Sequence, residues 1–280
     1  MSSPPLSNVW SIILRFHGPI EIHGAPMPET NGRRGISFDE LTLHYQPQMT
    51  ADGTRVASVE ALLRVLKPEP RLMGPADVLA HFDAPTDAEA LDWWVVRTAC
   101  RDALRWPSIS VGINLTAGRF RDPGFASRLA LEVAEIGVPP QRLELEIVEG
   151  SYIEDFDTAV ANINVLRAMG FRIALDDFGT GFSSLTYLLK LPVDKLKIDK
   201  SFVDGVGSIQ SAAIVHSVVA LARALGLKIT AEGVETEDQH RFLKVAGCHY
   251  MQGWLFHKAM GADELTALLE SEAQPRRAVG

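Results

Sequence analysis

The sequence predicts an α/β fold of the (β/α)8 TIM-like barrel type, and three observations predict it. From about Ile36 onward, short runs rich in β-branched and aliphatic residues alternate with longer stretches whose apolar residues recur at helical spacing. At Gly137, Gly170, Gly226 and Gly247 a helical pattern closes on a glycine and a strand-like run begins within a few residues, as suits the left-handed position that stops a helix. The strand-like runs finish in hydrogen-bonding or ionisable residues: Asn114, Glu146, Asp176, Lys197 with Asp199, Glu232 and Gln252. Polar groups in strands otherwise built for burial are costly unless they are paired or bind something. In a barrel of parallel strands those carboxyl ends converge on one face, where such folds place their chemistry.

The elements follow in order. Residues 1–36 hold a Pro-containing start, a short β-like run from Val9 to Phe16 and a turn-rich stretch from Ala25 to Gly35, and read as an N-terminal extension or linker. Residues 37–272 are assigned to the barrel, close to the ~250 residues usual for that fold, and residues 273–280 to a C-terminal tail. Eight candidate strands run Thr42 to Gln46, Arg55 to Leu63, Ser110 to Asn114, Arg142 to Ile147, Arg172 to Asp176, Lys195 to Asp199, Lys228 to Glu232 and His249 to Gln252. Between them, Ala88 to Leu104 carries Leu91, Trp94, Val95 and Ala99 at helical spacing, and Ile209 to Leu225 is apolar over a wide face. Trp93 and Trp94 read as core or interface residues, and Cys248 and His257 as structural ones.

Composition narrows the function classes. A 46% hydrophobic content in 280 residues supports a large core, while 27 basic against 35 acidic side chains give a net charge of −8. That balance disfavours a DNA or RNA polymer as partner, because gripping one needs clustered cations that displace counterions. Two cysteines, Cys100 and Cys248, make no zinc spacing or disulfide framework, which points to a reducing, cytoplasmic home. No apolar run approaches the ~18 residues of a membrane span, so this chain alone is not expected to enter a membrane.

Glu60, Asn114, Glu146, Asp176, Asp177 and Glu232 would bring five carboxylates and one amide oxygen to the same mouth. Without a cation they would repel one another. Hard oxygen ligands lacking histidine or thiolate partners suit Mg²⁺ or Mn²⁺, and adjacent Asp176 and Asp177 suit a pair of ions. Two metals fit phosphoester hydrolysis, with Lys197 adding a positive charge beside the water or phosphate.

At this point an ordered set of motifs resembles the EAL-domain cyclic di-GMP phosphodiesterases. The set runs Tyr45-Gln46-Pro47, Glu60-Ala61-Leu62-Leu63-Arg64, Asn114-Leu115, Glu146-Ile147-Val148-Glu149, Asp176-Asp177-Phe178-Gly179-Thr180-Gly181-Phe182-Ser183-Ser184-Leu185, Lys197-Ile198-Asp199, Glu232-Gly233-Val234-Glu235 and Gln252-Gly253. A lone Glu-Ala-Leu would carry nothing, whereas this order covers nearly all of residues 41–258. The resemblance implies that Glu60, Asn114, Glu146 and Asp176 hold a first ion, and that Asp176, Asp177 and Glu232 hold a second with Asp176 bridging. Lys197 would orient the attacking water, and Gln46, Leu62, Arg64 and Gln252 would contact the dinucleotide. Asp199 and Glu235 would support the site. Asp177 to Leu185 would be a mobile loop anchored by Glu149. The implied reaction is attack of a metal-activated water on one phosphodiester of cyclic di-GMP, giving linear pGpG.

The resemblance further implies a homodimer, an upstream sensory or regulatory domain or partner, and a signalling output that shifts bacteria from attached biofilm growth toward motility. Departures from the family pattern are Val148 and Gly150, where hydroxyl residues are frequent, and Phe256-His257-Lys258-Ala259-Met260, which lacks the usual prolines. No Gly-Gly-Asp-Glu-Phe cyclase segment is present in this chain. Two other classes stay open: a receptor that binds the dinucleotide without cutting it, and an interaction scaffold using the outer helices. Loss of metal ligands would mark the receptor, and none of the expected ligands is missing.

Overall fold

The structure, a computed structural model, describes residues 37–66, 85–148, 155–179 and 185–273. The extension 1–36, Glu149, and positions 180–184 of the expected loop lie outside the described residues.

A first strand, β1 (Leu41–Thr50), turns back through Ala51-Asp52-Gly53-Thr54 into β2 (Val56–Val65), with the Thr50 N–H donating to the Arg55 carbonyl at 2.9 Å. So short a connection permits only antiparallel pairing, and β1 accordingly runs against β2, with Gln46 opposite Glu60. The expectation of parallel strands is corrected here. The physical reason was legible as Asp-Gly between two β-like runs, a hairpin signal. From β2 the chain alternates: α1 (Pro85–Ala103), β3 (Ser110–Leu115), α2 (Phe125–Ile136), β4 (Leu143–Val148), α3 (Phe156–Met169), β5 (Arg172–Phe178), α4 (Leu185–Lys190), β6 (Lys195–Ile198), α5 (Lys200–Asp204), α6 (Ile209–Ala224), β7 (Lys228–Ala231), α7 (Glu237–Ala246) and β8 (Tyr250–Met251). Strands β2 to β8 pair in order and in parallel. β8 then pairs antiparallel with β1, which closes the barrel. A short β9 (Met260–Gly261), not anticipated from sequence, adds to the other half of β1 and leads into α8 (Ala262–Ala273).

Local sequence explains the helix ends. Asp155, Ser208 and Thr236 cap α3, α6 and α7 by accepting from the backbone N–H of Thr158, Ser211 and Gln239, each cap worth ~1 kcal/mol. Gly137, Gly170 and Gly247 end α2, α3 and α7 in the left-handed region.

The apolar core lies between barrel and helices. Val59, Val111, Ile113, Leu145, Ile147, Ile173, Leu196, Ile198 and Ile229 are buried there. Trp93 is buried against Phe125, their rings 5.9 Å apart. The Trp106 indole N–H donates to Thr266 Oγ1 at 2.9 Å, fastening α8 over the end of α1. Cys100 and Cys248 are buried and unpaired. By the two-residue period of a strand, the alternate residues line the barrel's interior. There the described chain is polar: Gln48, Ser58, Glu60, Glu144, Glu146, Lys195, Lys197, Thr230 and Gln252 are all buried. No described helix is long and apolar enough to cross a membrane.

Candidate active site

Lys197 on β6 is fully buried at the centre of the polar interior. Its Nζ lies 2.5 Å from Glu146 Oε2 (β4), 2.7 Å from Glu232 Oε1 (just beyond β7), 3.0 Å from Asp176 Oδ1 (β5) and 3.5 Å from Glu60 Oε1 (β2). Four strands thus direct carboxylates at one ammonium. Glu60 is held further by Asn114, whose Nδ2 donates to Oε1 at 2.8 Å, and by Gln252, whose Nε2 donates to Oε2 at 2.6 Å. Glu60 sits mid-strand and not at a strand end, since β2 continues to Val65.

Asp176 and Asp177 are adjacent, and regular alternation would send their side chains to opposite faces of β5. The pairing with β6 slips between Leu175 and Phe178, so three residues of β5 advance against two of β6. Asp177 takes φ 55°, and no other non-glycine among the described residues has a positive φ. Aspartate tolerates that left-handed conformation better than most residues. The bulge brings both carboxylates to the mouth.

The charges compete. Burial opposes ionisation of Glu60, but Lys197 and the hydrogen bonds from Gln252 and Asn114 outweigh it and hold its carboxyl below the ordinary value. Burial pushes Glu146 well above the usual carboxylate range, with Glu60 and Asp176 adding repulsion that Lys197 does not cancel. Burial also raises Asp176 and Asp177, and lifts Glu232 to about 8. Lys197 loses by burial yet is held well above the ordinary lysine value by Glu146, Glu232, Glu60 and Asp176. One lysine therefore does not balance this many acids.

The residues present fit a pair of divalent cations. Glu60, Glu146 and Asp176 each offer an oxygen within 4.8 Å of one another, and so do Asp176, Asp177 and Glu232. Glu146 Oε1 is buried with no hydrogen-bond partner among the described residues. The site leaves it room only because position 112 is glycine: a Cβ there would come 2.1 Å from that oxygen. Glu232 Oε1 has the Lys197 ammonium at ion-pair distance but no aligned hydrogen bond. All the donors are hard oxygens.

Above the cluster opens a cleft of about 780 Å³, within the range of small-molecule sites. Gln46, Glu60, Leu62, Asn114, Asp176, Asp177, Glu232, Glu235 and Gln252 line it. Arg64 does not: its Nη1 donates to the Leu63 carbonyl at 2.8 Å, near the end of β2. Asp199 is not part of the lining: it is the N-cap of α5, accepting from Ser201 N–H at 3.0 Å, and its charge adds to the repulsion on Asp177. Glu235 pairs with Lys200 at the rim.

Sequence reasoning missed Asp92 on α1, which lines the cleft beside Leu91, Val95 and Thr116. Burial raises its carboxyl to about 6, against the opposing effects of Thr116 and Arg119. The signal was available: an aspartate inside the apolar stripe of Leu91, Val95, Val96 and Ala99. Trp254, 64% exposed, stands at the rim with Lys258 Nζ 5.0 Å from its ring centre, and it too was passed over.

Comparison with known proteins places this geometry. A family model described as EAL domain matches residues 31–259. A curated relative from Pseudomonas aeruginosa, the bifunctional diguanylate cyclase/cyclic di-GMP phosphodiesterase MucR, is 37% identical over 241 residues, covering 84% of this chain and 35% of the relative. The solved MucR phosphodiesterase in complex with cyclic di-GMP superposes with a TM-score of 0.75 at 37% identity, covering 81% of this chain and 94% of that one. The Klebsiella pneumoniae BlrP1 complex with manganese and cyclic di-GMP gives 0.72 at 28% identity, covering 82% and 58%. The chain spans about a third of the length of the curated relatives it matches.

Proposed function

The chain belongs to the EAL domain family, and from that premise we propose that it is a metal-dependent phosphodiesterase that hydrolyses cyclic di-GMP to linear pGpG. The observation that carries this reading is the convergence of Glu60, Glu146, Asp176 and Glu232 on buried Lys197, with Asp177 beside them, at the floor of a ligand-sized cleft. A charge-poor or ligand-depleted site would suit a receptor, and this site is the opposite.

Glu60, Asn114, Glu146 and Asp176 would hold one Mg²⁺ or Mn²⁺, and Asp176, Asp177 and Glu232 a second. Bound there, the ions would lower the pKa of water and neutralise charge on the phosphoryl oxygens. Lys197 is the cation at the centre of the cluster, and its ammonium would orient the nucleophilic water against the phosphate. Its three protons cannot satisfy four carboxylates at once, so a donor could turn to water only where cations took over some of those oxygens. Asn114 and Gln252 keep Glu60 ionised and oriented through their amide donors. Gln46, Leu62 and Gln252 line the cleft for the dinucleotide, and Asp92 places an acceptor on its apolar wall. Arg64 would have to leave the Leu63 carbonyl to reach a phosphate. The domain is assigned to residues 37–272, acting in the cytoplasm as a homodimer under a sensory domain or partner.

Incubation of the purified chain with cyclic di-GMP and Mg²⁺ or Mn²⁺, with nucleotides resolved by chromatography, tests the reading. Linear pGpG is expected from the wild type and none from Glu60→Ala. Metal-dependent product from Glu60→Ala would overturn the assignment, and tight binding without product from the wild type would make the chain a receptor.

A further inference from the structure

Below the carboxylate cluster the barrel carries a second polar layer that the reaction does not obviously use. Lys195, two residues before Lys197 on β6 and facing the same interior, is buried with its Nζ 2.6 Å from Glu144 Oε1 and 4.9 Å from the centre of the Tyr250 ring. The same ammonium donates to Gln48 Oε1 at 3.4 Å, which Ser58 Oγ also reaches at 2.8 Å. Gln48 Nε2 then donates to Gln252 Oε1 at 3.0 Å, and Gln252 Nε2 donates to Glu60 Oε2 at 2.6 Å.

We propose that Lys195 sets the direction of this relay, and so acts as a positioning residue that turns the Gln252 amide donor toward the Glu60 carboxylate. The inference deepens the hydrolase reading, since it rests on Glu60 as a metal ligand.

The direction follows from the donors and acceptors available. An ammonium has donors only, so Gln48 must present its oxygen to Lys195. Its NH₂ is then left for Gln252, which must answer with its own oxygen, and the Gln252 NH₂ is left for Glu60. If the Gln252 amide were reversed, an oxygen would face the Glu60 carboxylate across 2.6 Å in place of a donor, and if Gln48 alone were reversed its oxygen would face the Gln252 oxygen. Ser58 cannot enforce the direction, because a hydroxyl both donates and accepts. Glu144 balances the buried charge of Lys195 without taking part in the relay. Lys197 acts on Glu60 itself, whereas Lys195 acts on it through two amides; from the mouth side Gln46, whose Nε2 donates to the His257 carbonyl at 3.1 Å, takes a second donation from Gln252 Nε2 at 3.2 Å and holds the amide the same way round. Groups that orient a metal ligand in this way typically govern metal affinity about 10- to 100-fold.

The test uses Mn²⁺ as the probe, with affinity measured by calorimetry on the full chain and thermal unfolding followed in parallel. The double variant Glu144→Leu/Lys195→Met removes the ion pair as a unit, a replacement that buried pairs often tolerate, and Gln48→Leu cuts the relay above it. Each is expected to weaken Mn²⁺ binding about tenfold. Combining them is expected to weaken it no further, because both break the same chain of bonds. Affinities equal to wild type, or losses that multiply in the combination and track the melting temperature, would overturn the relay while leaving the hydrolase reading intact. A wild type that neither binds Mn²⁺ nor forms pGpG would overturn both.

Discussion

Replacing Lys197 with methionine removes the ammonium that lies within 4 Å of Glu60, Glu146, Asp176 and Glu232. All four acids are largely buried, and Lys197 and Glu146 are wholly so. Stripping one partner from a buried ion cluster costs ~3–5 kcal/mol, because the remaining charges are left uncompensated. For a domain of this size each kcal/mol moves the melting temperature ~2–4 °C, so Lys197→Met in EDTA at pH 8 is expected to melt ~6–20 °C below the wild type. Two signatures separate this cause from a simple packing defect. The deficit should shrink at pH 5.5, where the acids take up protons in place of the lost cation. It should also shrink with saturating Mn²⁺, which supplies positive charge at the same oxygens. Turnover should not recover with the stability, since removal of a group that places a proton donor beside the reacting water costs ~10²–10⁴ in rate. Circular dichroism melts with and without EDTA, paired with chromatography of pGpG, read both effects. Equal melting of the two proteins in EDTA would refute the electrostatic account, and wild-type turnover in the Mn²⁺-loaded variant would refute the role of Lys197 in placing the water.

Other outcomes follow from the same geometry. Gly112→Ala would set a Cβ 2.1 Å from Glu146 Oε1, and overpacking of that kind costs ~1–3 kcal/mol; the variant should fold, bind Mn²⁺ more weakly and turn over slowly, whereas wild-type turnover would mean that the placement of Glu146 is not needed. The metal-free protein should lose stability as pH rises from about 4.5 to about 8. Glu232, raised by burial from 4.5 to about 8, keeps in the folded state a proton that the unfolded chain releases, so the unfolded state binds fewer protons across that window. Glu146, Asp176 and Asp177 are shifted in the same direction, while the lowered carboxyl of Glu60 acts the other way, its contribution fading as pH falls toward acid. Melting temperatures in EDTA across pH 5 to 8 check the sign, and a rising curve would contradict it; Mn²⁺ should flatten the fall.

Much of this was legible in the amino-acid sequence, for physical reasons. Alternating strand and helix periods, with glycines that can turn a helix end left-handed, specify a helix-wrapped barrel, because each element can bury its apolar side only against the other kind. The recurrence of polar and charged residues within or at the ends of otherwise apolar runs marked Glu60, Asn114, Glu146, Asp176, Asp177, Lys197 and Glu232 as one candidate set, since buried charge is too costly to be scattered without use. What the sequence left undecided depends on distances across the barrel. That β1 runs antiparallel to β2 was encoded in Asp52-Gly53, but that β1 also closes the barrel against β8 was not. That both Asp176 and Asp177 reach the mouth needed a bulge whose register is set by β6. Arg64 resting on its own strand, Asp199 serving as a helix cap, and Asp92 lining the cleft from a helix are equally matters of where chains meet. The sequence by itself determined which groups must be sheltered together. Only the tertiary structure decided which of them touch, because hydrogen bonds and ion pairs are settled over a few ångströms between residues as far apart as Gln48 and Gln252.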